Sequence, residues 1–222
     1  MNRKGNYNLI STIFLVFLFL IHPLKNVYAE GETKLDNRVK KFLQDHRYQW
    51  RDMNVPASDG KILYDIIVKN NYQKALEIGT STGHSAIWIA WALSKTGGKL
   101  ITIEIDEDRY QIALNHFKEV GLSDFIDARL ADAHDLVKRL KGPFDFVFCD
   151  ADKWWYKNYF LDVYPMLEVG GCFTAHNVST RGWGRRGGTG EFYNYIKELA
   201  HMETHVDESG AGLSISYKKA NK

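Results

Sequence analysis

Leu76-Glu77-Ile78-Gly79-Thr80-Ser81-Thr82-Gly83-His84-Ser85 decides how the rest of the chain is read. A short apolar run, Ala75 to Ile78, stops at a glycine, crosses three small hydroxyl residues and a second glycine, and enters Ser85 to Ser94, where apolar residues recur at helical spacing. Buried strand, tight turn and helix together form the unit from which parallel sheets are built. Glycines in such a turn let backbone N–H groups approach a ligand with no Cβ in the way. The spacing here is Gly-x-x-x-Gly, so the dinucleotide fingerprint Gly-x-Gly-x-x-Gly is absent and a nicotinamide enzyme is disfavoured. Alone, the segment fits an ordinary strand-to-helix turn equally well.

Outward from this turn the same alternation repeats. Leu100 to Ile103, Phe125 to Leu130, Phe144 to Phe148 and Gly171 to Thr174 read as buried strands. Arg109 to Val120, Ala133 to Leu140 and Tyr156 to Leu167 read as helices between them. Upstream lie a charged helical stretch, Leu35 to Trp50, and a helix opened by Pro56, with Ile62, Leu63, Ile66 and Ile67 on one face. The pattern predicts an α/β fold: a doubly wound, mostly parallel sheet with helices on both faces. No internal repeat and no dividing linker is present, so residues 30–222 are expected to form one domain.

Ligands of such sheets gather beyond the carboxyl ends of the strands. The second strand ends Thr102-Ile103-Glu104-Ile105-Asp106, and a carboxylate inside that apolar run is placed to accept ribose hydroxyls. After the third come Ala131-Asp132-Ala133-His134, where Asp132 either meets an adenine edge or caps a helix. The fourth ends Cys149-Asp150-Ala151-Asp152-Lys153-Trp154-Trp155, and the fifth ends Ala175-His176-Asn177. Asp150, His176 and Asn177 on neighbouring strand ends would offer oxygen and imidazole ligands to one metal ion. Trp154 and Trp155 are expected to wall a substrate, with one of them packed in the core. Arg181 to Gly190, with five glycines and three arginines, reads as a mobile loop that either receives substrate or is plain surface. Tyr217 to Lys222 reads as a solvated tail.

Composition agrees with one packed unit and narrows the partners. Of 222 residues 45% are hydrophobic, 25% are charged and four are proline, which excludes disordered and low-complexity classes. Twenty-nine Lys and Arg balance 27 Asp and Glu, so no nucleic-acid partner is expected. Arg3 and Lys4 precede an apolar stretch, Leu9 to Ile21, and a Val27-Tyr28-Ala29 end, which is the order of a secretory signal peptide over residues 1–29. Its removal takes away Arg3, Lys4 and Lys25 and no acid, moving the formal charge from +2 to −1. The expectation is export, periplasmic or secreted. Single-pass membrane anchoring is the alternative if the segment is uncleaved. Cys149 and Cys172 both sit in apolar runs and read as core residues.

Taken in order, these features resemble the small metal-dependent O-methyltransferases that include catechol O-methyltransferase and the caffeoyl-CoA O-methyltransferases. The resemblance runs from about Met53 to Tyr217: Met53-Asn54-Val55, Leu76-Glu77-Ile78-Gly79 with Gly83 and Ser85, Glu104, Asp150-Ala151-Asp152-Lys153 with Tyr156, Ala175-His176-Asn177 and Gly212-Leu213. It implies a Rossmann-like seven-stranded sheet, last strand antiparallel, binding S-adenosylmethionine. Met53, Val55, Glu77, Gly79 and Ser85 would surround the methionine end, Glu104 would hold the ribose, and Ala133 and His134 would lie by the adenine. Ser81, Gly83, Ile105, Asp132 and Asp150 complete the expected cofactor contacts.

The resemblance further implies a divalent cation on Asp150 and Asn177, and Lys153 as the base that takes the acceptor's hydroxyl proton. Lysine ordinarily titrates near 10.4 and would rely on the neighbouring cation to act at neutral pH. Methyl transfer to a phenolic oxygen needs that oxygen anionic and aligned, which a chelating cation would provide. The acceptor would be a small hydroxylated, aromatic molecule; a homodimer is left open. The chain departs from the family at His176, where the pattern has aspartate. Magnesium should bind less well to that set than manganese, iron or zinc. Three readings stay open: a metal site of altered preference, a metal-free methyltransferase, and a non-catalytic nucleoside-binding module.

Overall fold

Seven strands alternate with seven helices in the computed structural model, which describes residues 32–50, 53–180 and 187–221. The signal-peptide segment and Arg181 to Arg186 of the glycine-rich loop lie outside these residues. The strands are β1 (Lys74–Ile78), β2 (Lys99–Glu104), β3 (Ile126–Leu130), β4 (Phe144–Cys149), β5 (Leu167–His176), β6 (Met202–Asp207) and β7 (Leu213–Lys218). The helices are α1 (Lys34–Asp45), α2 (Ala57–Asn70), α3 (His84–Thr96), α4 (Glu107–Val120), α5 (Ala133–Leu136), α6 (Tyr156–Val163) and α7 (Gly187–Ile196).

The sheet order is β3-β2-β1-β4-β5-β7-β6. Strands β1 to β5 pair in parallel, and β7 pairs antiparallel with both β5 and β6, so β7 alone runs against the others. The chain starts in the middle at β1, winds out to β3 and returns on the other side at β4. The strand order therefore reverses between β1 and β4, the place where this architecture opens a crevice at the carboxyl ends.

Period-2 alternation divides the core. Phe146 and Phe148 of β4 pack with Leu63, Ile67, Ile87 and Phe117 from α2, α3 and α4. Val147 and Cys149, the intervening positions, pack with Tyr156, Phe160 and Phe192 from α6 and α7. Both faces of β4 are thus buried, which is why its sequence is a continuous apolar run and not an alternating one. Cys149 and Cys172 are free and buried.

Local chemistry sets the helix starts. Thr33 and Asp36 form a reciprocal capping box before α1. Asp106 accepts the Arg109 N–H to cap α4, and Asp132 accepts the His134 N–H to cap α5.

Several sequence expectations are corrected. Leu167, read as the end of a helix, begins β5, because α6 stops at Val163 and a 3₁₀ turn with Pro165 follows. Phe125 lies in a 3₁₀ turn before β3, itself only partly buried as an edge strand. Gly187 to Gly190, read as loop, opens α7. Tyr217 and Lys218, read as tail, belong to β7; Lys218 is buried and donates from Nζ to the Tyr164 and Leu167 carbonyls.

Candidate active site

Two walls meet at the β1/β4 crevice. On the first, Glu104 at the end of β2 is buried and held by backbone amides. Ser81 N–H donates to its Oε2 at 2.7 Å, and the Ile105 and Asp106 N–H groups donate to its Oε1 at 3.0 Å each. Oε1 already accepts two amides and Oε2 keeps acceptor capacity, so a fixed carboxylate with room for a hydroxyl donor faces the turn after β1. Gly79 joins this wall to the other. Its φ is +98°, and a Cβ there would lie 2.6 Å from the Asp150 carbonyl oxygen, so only glycine lets the two strand ends touch. Asp150 N–H in turn donates to Ile78 O at 2.8 Å. Glu104, Gly79 and Asp150 thus share one crevice.

Beneath the turn lies a fully buried carboxylate. Thr102 donates to Glu77 Oε2 at 2.5 Å, so Thr80 is the donor in its own 2.5 Å contact with Thr102. Glu77 Oε1 is buried with no hydrogen-bond partner. Burial pushes Glu77 up to about 8; Ser85 and Thr102 oppose the rise, and the charges of Asp150 and Glu104 add to it. Ser85 is buried beside this layer.

His84 fastens the preceding segment: its Nδ1–H donates to Val55 O at 2.8 Å while Nε2 accepts from Trp88 at 3.2 Å. That pairing fixes one neutral tautomer, and burial pushes the ring down to about 4. Val55 is buried, Met53 is exposed at φ +49°, and Asn54 donates to Thr82 at 2.9 Å. Ile105 is exposed beside Glu104. Past β3, Ala133 is buried and the His134 ring lies 4.6 Å from Trp155 and 5.6 Å from Tyr159. His134 Nε2 and Trp155 Nε1 are both buried without a hydrogen-bond partner. Trp155 is therefore the partly buried member of the tryptophan pair, and Trp154 is 73% exposed.

The second wall is made of side chains. Lys153 Nζ donates to Asp150 Oδ1 and, at 2.9 Å, to the Tyr156 hydroxyl. Asp150 Oδ2 meets His176 Nδ1 at 3.1 Å, and His176 Nε2 meets Asp59 Oδ2 at 3.0 Å. Burial alone would lower the imidazole's pKa; hydrogen bonds and charge from Asp150 and Asp59 outweigh it and hold the ring up to about 9. Burial would raise Asp59, yet His176, the Ala211 N–H and Ser58 bring it below the ordinary carboxylate value.

Asp59, absent from the sequence-predicted set, completes this wall. It sits in the first turn of α2, where an acid reads simply as a partner of the helix dipole. Its partner lies 117 positions away, which no local pattern signals. The sequence-predicted metal site, by contrast, lacks the form of one. Both His176 nitrogens are engaged by carboxylates, and Asn177 leaves the strand exposed at φ +55°. Among the described residues no three His, Cys, Asp or Glu side chains are grouped to enclose an ion. The residues present do not fit a divalent cation on Asp150, His176 and Asn177.

A family model described as O-methyltransferase matches residues 26–187. The chain belongs to that O-methyltransferase family. Among its relatives, caffeoyl-CoA O-methyltransferase 1 of Eucalyptus globulus is 31% identical over 141 residues, 61% of this chain and 57% of the relative. Catechol O-methyltransferase of Niastella koreensis is 35% identical over 130 residues, 57% of this chain and 58% of the relative. The aligned part thus spans less than three fifths of either relative's length. In three dimensions the chain is similar to the O-methyltransferase of Bacillus cereus solved in complex with SAH, with a TM-score of 0.70 at 25% identity, covering 87% of this chain and 94% of that one. The seven-stranded sheet of this chain, with β7 alone antiparallel, is the one that the resemblance implied.

Proposed function

We propose that the chain is an S-adenosylmethionine-dependent O-methyltransferase that methylates a hydroxyl of a small aromatic, catechol-like acceptor. The observation that carries this reading is the joined crevice: Glu104 bound to the Ser81 amide, and Gly79 seated on the Asp150 carbonyl beside Lys153. A hydroxyl-accepting carboxylate and a lysine–aspartate pair are thereby fixed at the ends of β2 and β4, the two strands that flank β1. Family membership and the SAH-binding relative support the same reading.

The first wall suits the sulfonium donor. Glu104 would take the ribose hydroxyls, with Ile105 and the Ser81–Gly83 turn around it. Asp132, Ala133 and His134 would border the adenine. Glu77 Oε1, buried without a partner, is an acceptor that an ammonium group would satisfy, with Met53, Val55, Gly79 and Ser85 about it. When bound, S-adenosylmethionine supplies an electrophilic methyl group. Lys153 in its amine form accepts the acceptor's hydroxyl proton at Nζ, while Asp150 and Tyr156 hold that nitrogen in place. Exposed Trp154 would wall the acceptor.

Calorimetry with SAH, followed by methyl transfer to a panel of catechols and other phenols, tests the proposal. Binding and turnover are expected. Failure to bind SAH overturns it, and binding without turnover on any acceptor favours the nucleoside-binding module. Export of the chain is likewise our proposal, supported by the order of residues 1–29; N-terminal sequencing of protein from the culture medium or periplasm tests it. No helix among the described residues is long and apolar enough to cross a membrane.

A further inference from the structure

We infer that Asp59 and His176 together replace a divalent cation on the acceptor side: the imidazole ring, clamped between two carboxylates, occupies the coordination chemistry that an ion would need. A histidine that ligates a metal gives one nitrogen's lone pair to the ion and donates from the other nitrogen to an outer partner. His176 has neither nitrogen to spare, with Asp59 Oδ2 at 3.0 Å from Nε2 and Asp150 Oδ2 at 3.1 Å from Nδ1. An ionised carboxylate only accepts, and a protonated one would donate into the ring nitrogen. Either way both nitrogens are used and no lone pair is left for a metal.

The clamp is also built into the fold from four separate places. Asp59 comes from α2, Asp150 from the end of β4 and His176 from the end of β5. The fourth is the turn before β7: the Ala211 N–H donates to Asp59 Oδ2 at 3.0 Å, and a Cβ at Gly210 would fall 1.5 Å from Asp59 Oδ1. Gly210 is thus a residue that must lack a side chain for Asp59 to sit where it does. Asp59 is a positioning residue: through His176 it orients Asp150, which carries Lys153.

The exclusion of the cation stands on this geometry; only its meaning for methyl transfer rests on the function proposed above. The test titrates the full chain with MnCl2, followed by electron paramagnetic resonance and calorimetry, for the wild type, His176→Asp and His176→Ala, with thermal melts to confirm folding. Wild type is expected to show no saturable manganese binding. His176→Asp, which adds a third carboxylate oxygen donor, is expected to bind at least about tenfold more tightly. Stoichiometric manganese binding by the wild type that is lost in His176→Ala would overturn the inference, as would a folded His176→Asp with no gain. Methyl transfer by the wild type is expected to change less than about twofold between EDTA and added manganese, because no ion takes part. SAH affinity measured on the same samples keeps the two proposals apart: its absence sinks the methyltransferase reading and leaves the manganese result standing.

Discussion

On the Glu104 wall of the crevice the fixed contacts come from backbone amides; on the Asp150 wall they come from side chains. Ser81, Ile105 and Asp106 present N–H groups to Glu104 across at most 23 positions of sequence. Asp59, Asp150, Lys153, Tyr156 and His176 satisfy one another across as many as 117. The first wall is specified by a turn that glycine and small residues permit, so substitutions of neighbouring side chains leave its donors in place. The second depends on the identity of each member, since a buried charge left without its partner is costly. A binding surface and a reacting surface are thus supported by different kinds of structure, and each should fail in its own way.

The largest separation of the walls is expected from Lys153→Ala. Loss of the proton acceptor should lower kcat by about a hundredfold to ten-thousandfold, with SAH affinity within about twofold of wild type. A parallel fall in SAH affinity would show that the walls are not independent. Asp59→Asn should come next. Breaking a buried pair costs about 3 kcal/mol, read as a lower urea midpoint, and kcat should fall while SAH binding holds.

Glu104→Gln probes the opposite wall. It should weaken SAH binding by about tenfold or more, the loss of hydrogen bonds to a charged group, with little change in rate at saturating methyl donor. The fourth test is a pH dependence. Glu77, facing Thr102, Ser85 and the charges of Asp150 and Glu104, is pushed from 4.5 up to about 8. The folded chain holds that proton more tightly than the unfolded one, so its contribution to stability is full below about 4.5 and is lost as pH rises through 8. Urea midpoints of wild type should therefore fall relative to Glu77→Gln between pH 5 and pH 8.5. A constant difference would mean that Glu77 titrates normally.

The same contrast explains what could be read from the sequence. Strands β1, β2 and β4 announce themselves because parallel strands buried on both faces are short apolar runs, and their ends are marked by Gly79, Glu104 and Asp150. Strand β6, Met-Glu-Thr-His-Val-Asp, carries no such mark, because it lies at the sheet edge and is buried firmly only at Met202. Lys218 reads as tail because a lysine is normally solvated, and the Tyr164 and Leu167 carbonyls, with the Tyr164 ring 4.3 Å from Nζ, make its burial tolerable. His176 is visible as a departure from the family pattern, but its meaning lies in Asp59, whose helix-start position already has a sufficient local explanation.

The turn holding Gly210 and Ala211 has a consequence for how the protein comes into being. A ribosome releases Asp59 early and this turn late, so during translation the aspartate waits for an amide and an imidazole that do not yet exist. Glu104 and the amides it accepts are made before Asp150, Lys153 and His176, and the reactive pair at Lys153 acquires its full support only once the β6–β7 hairpin has been made.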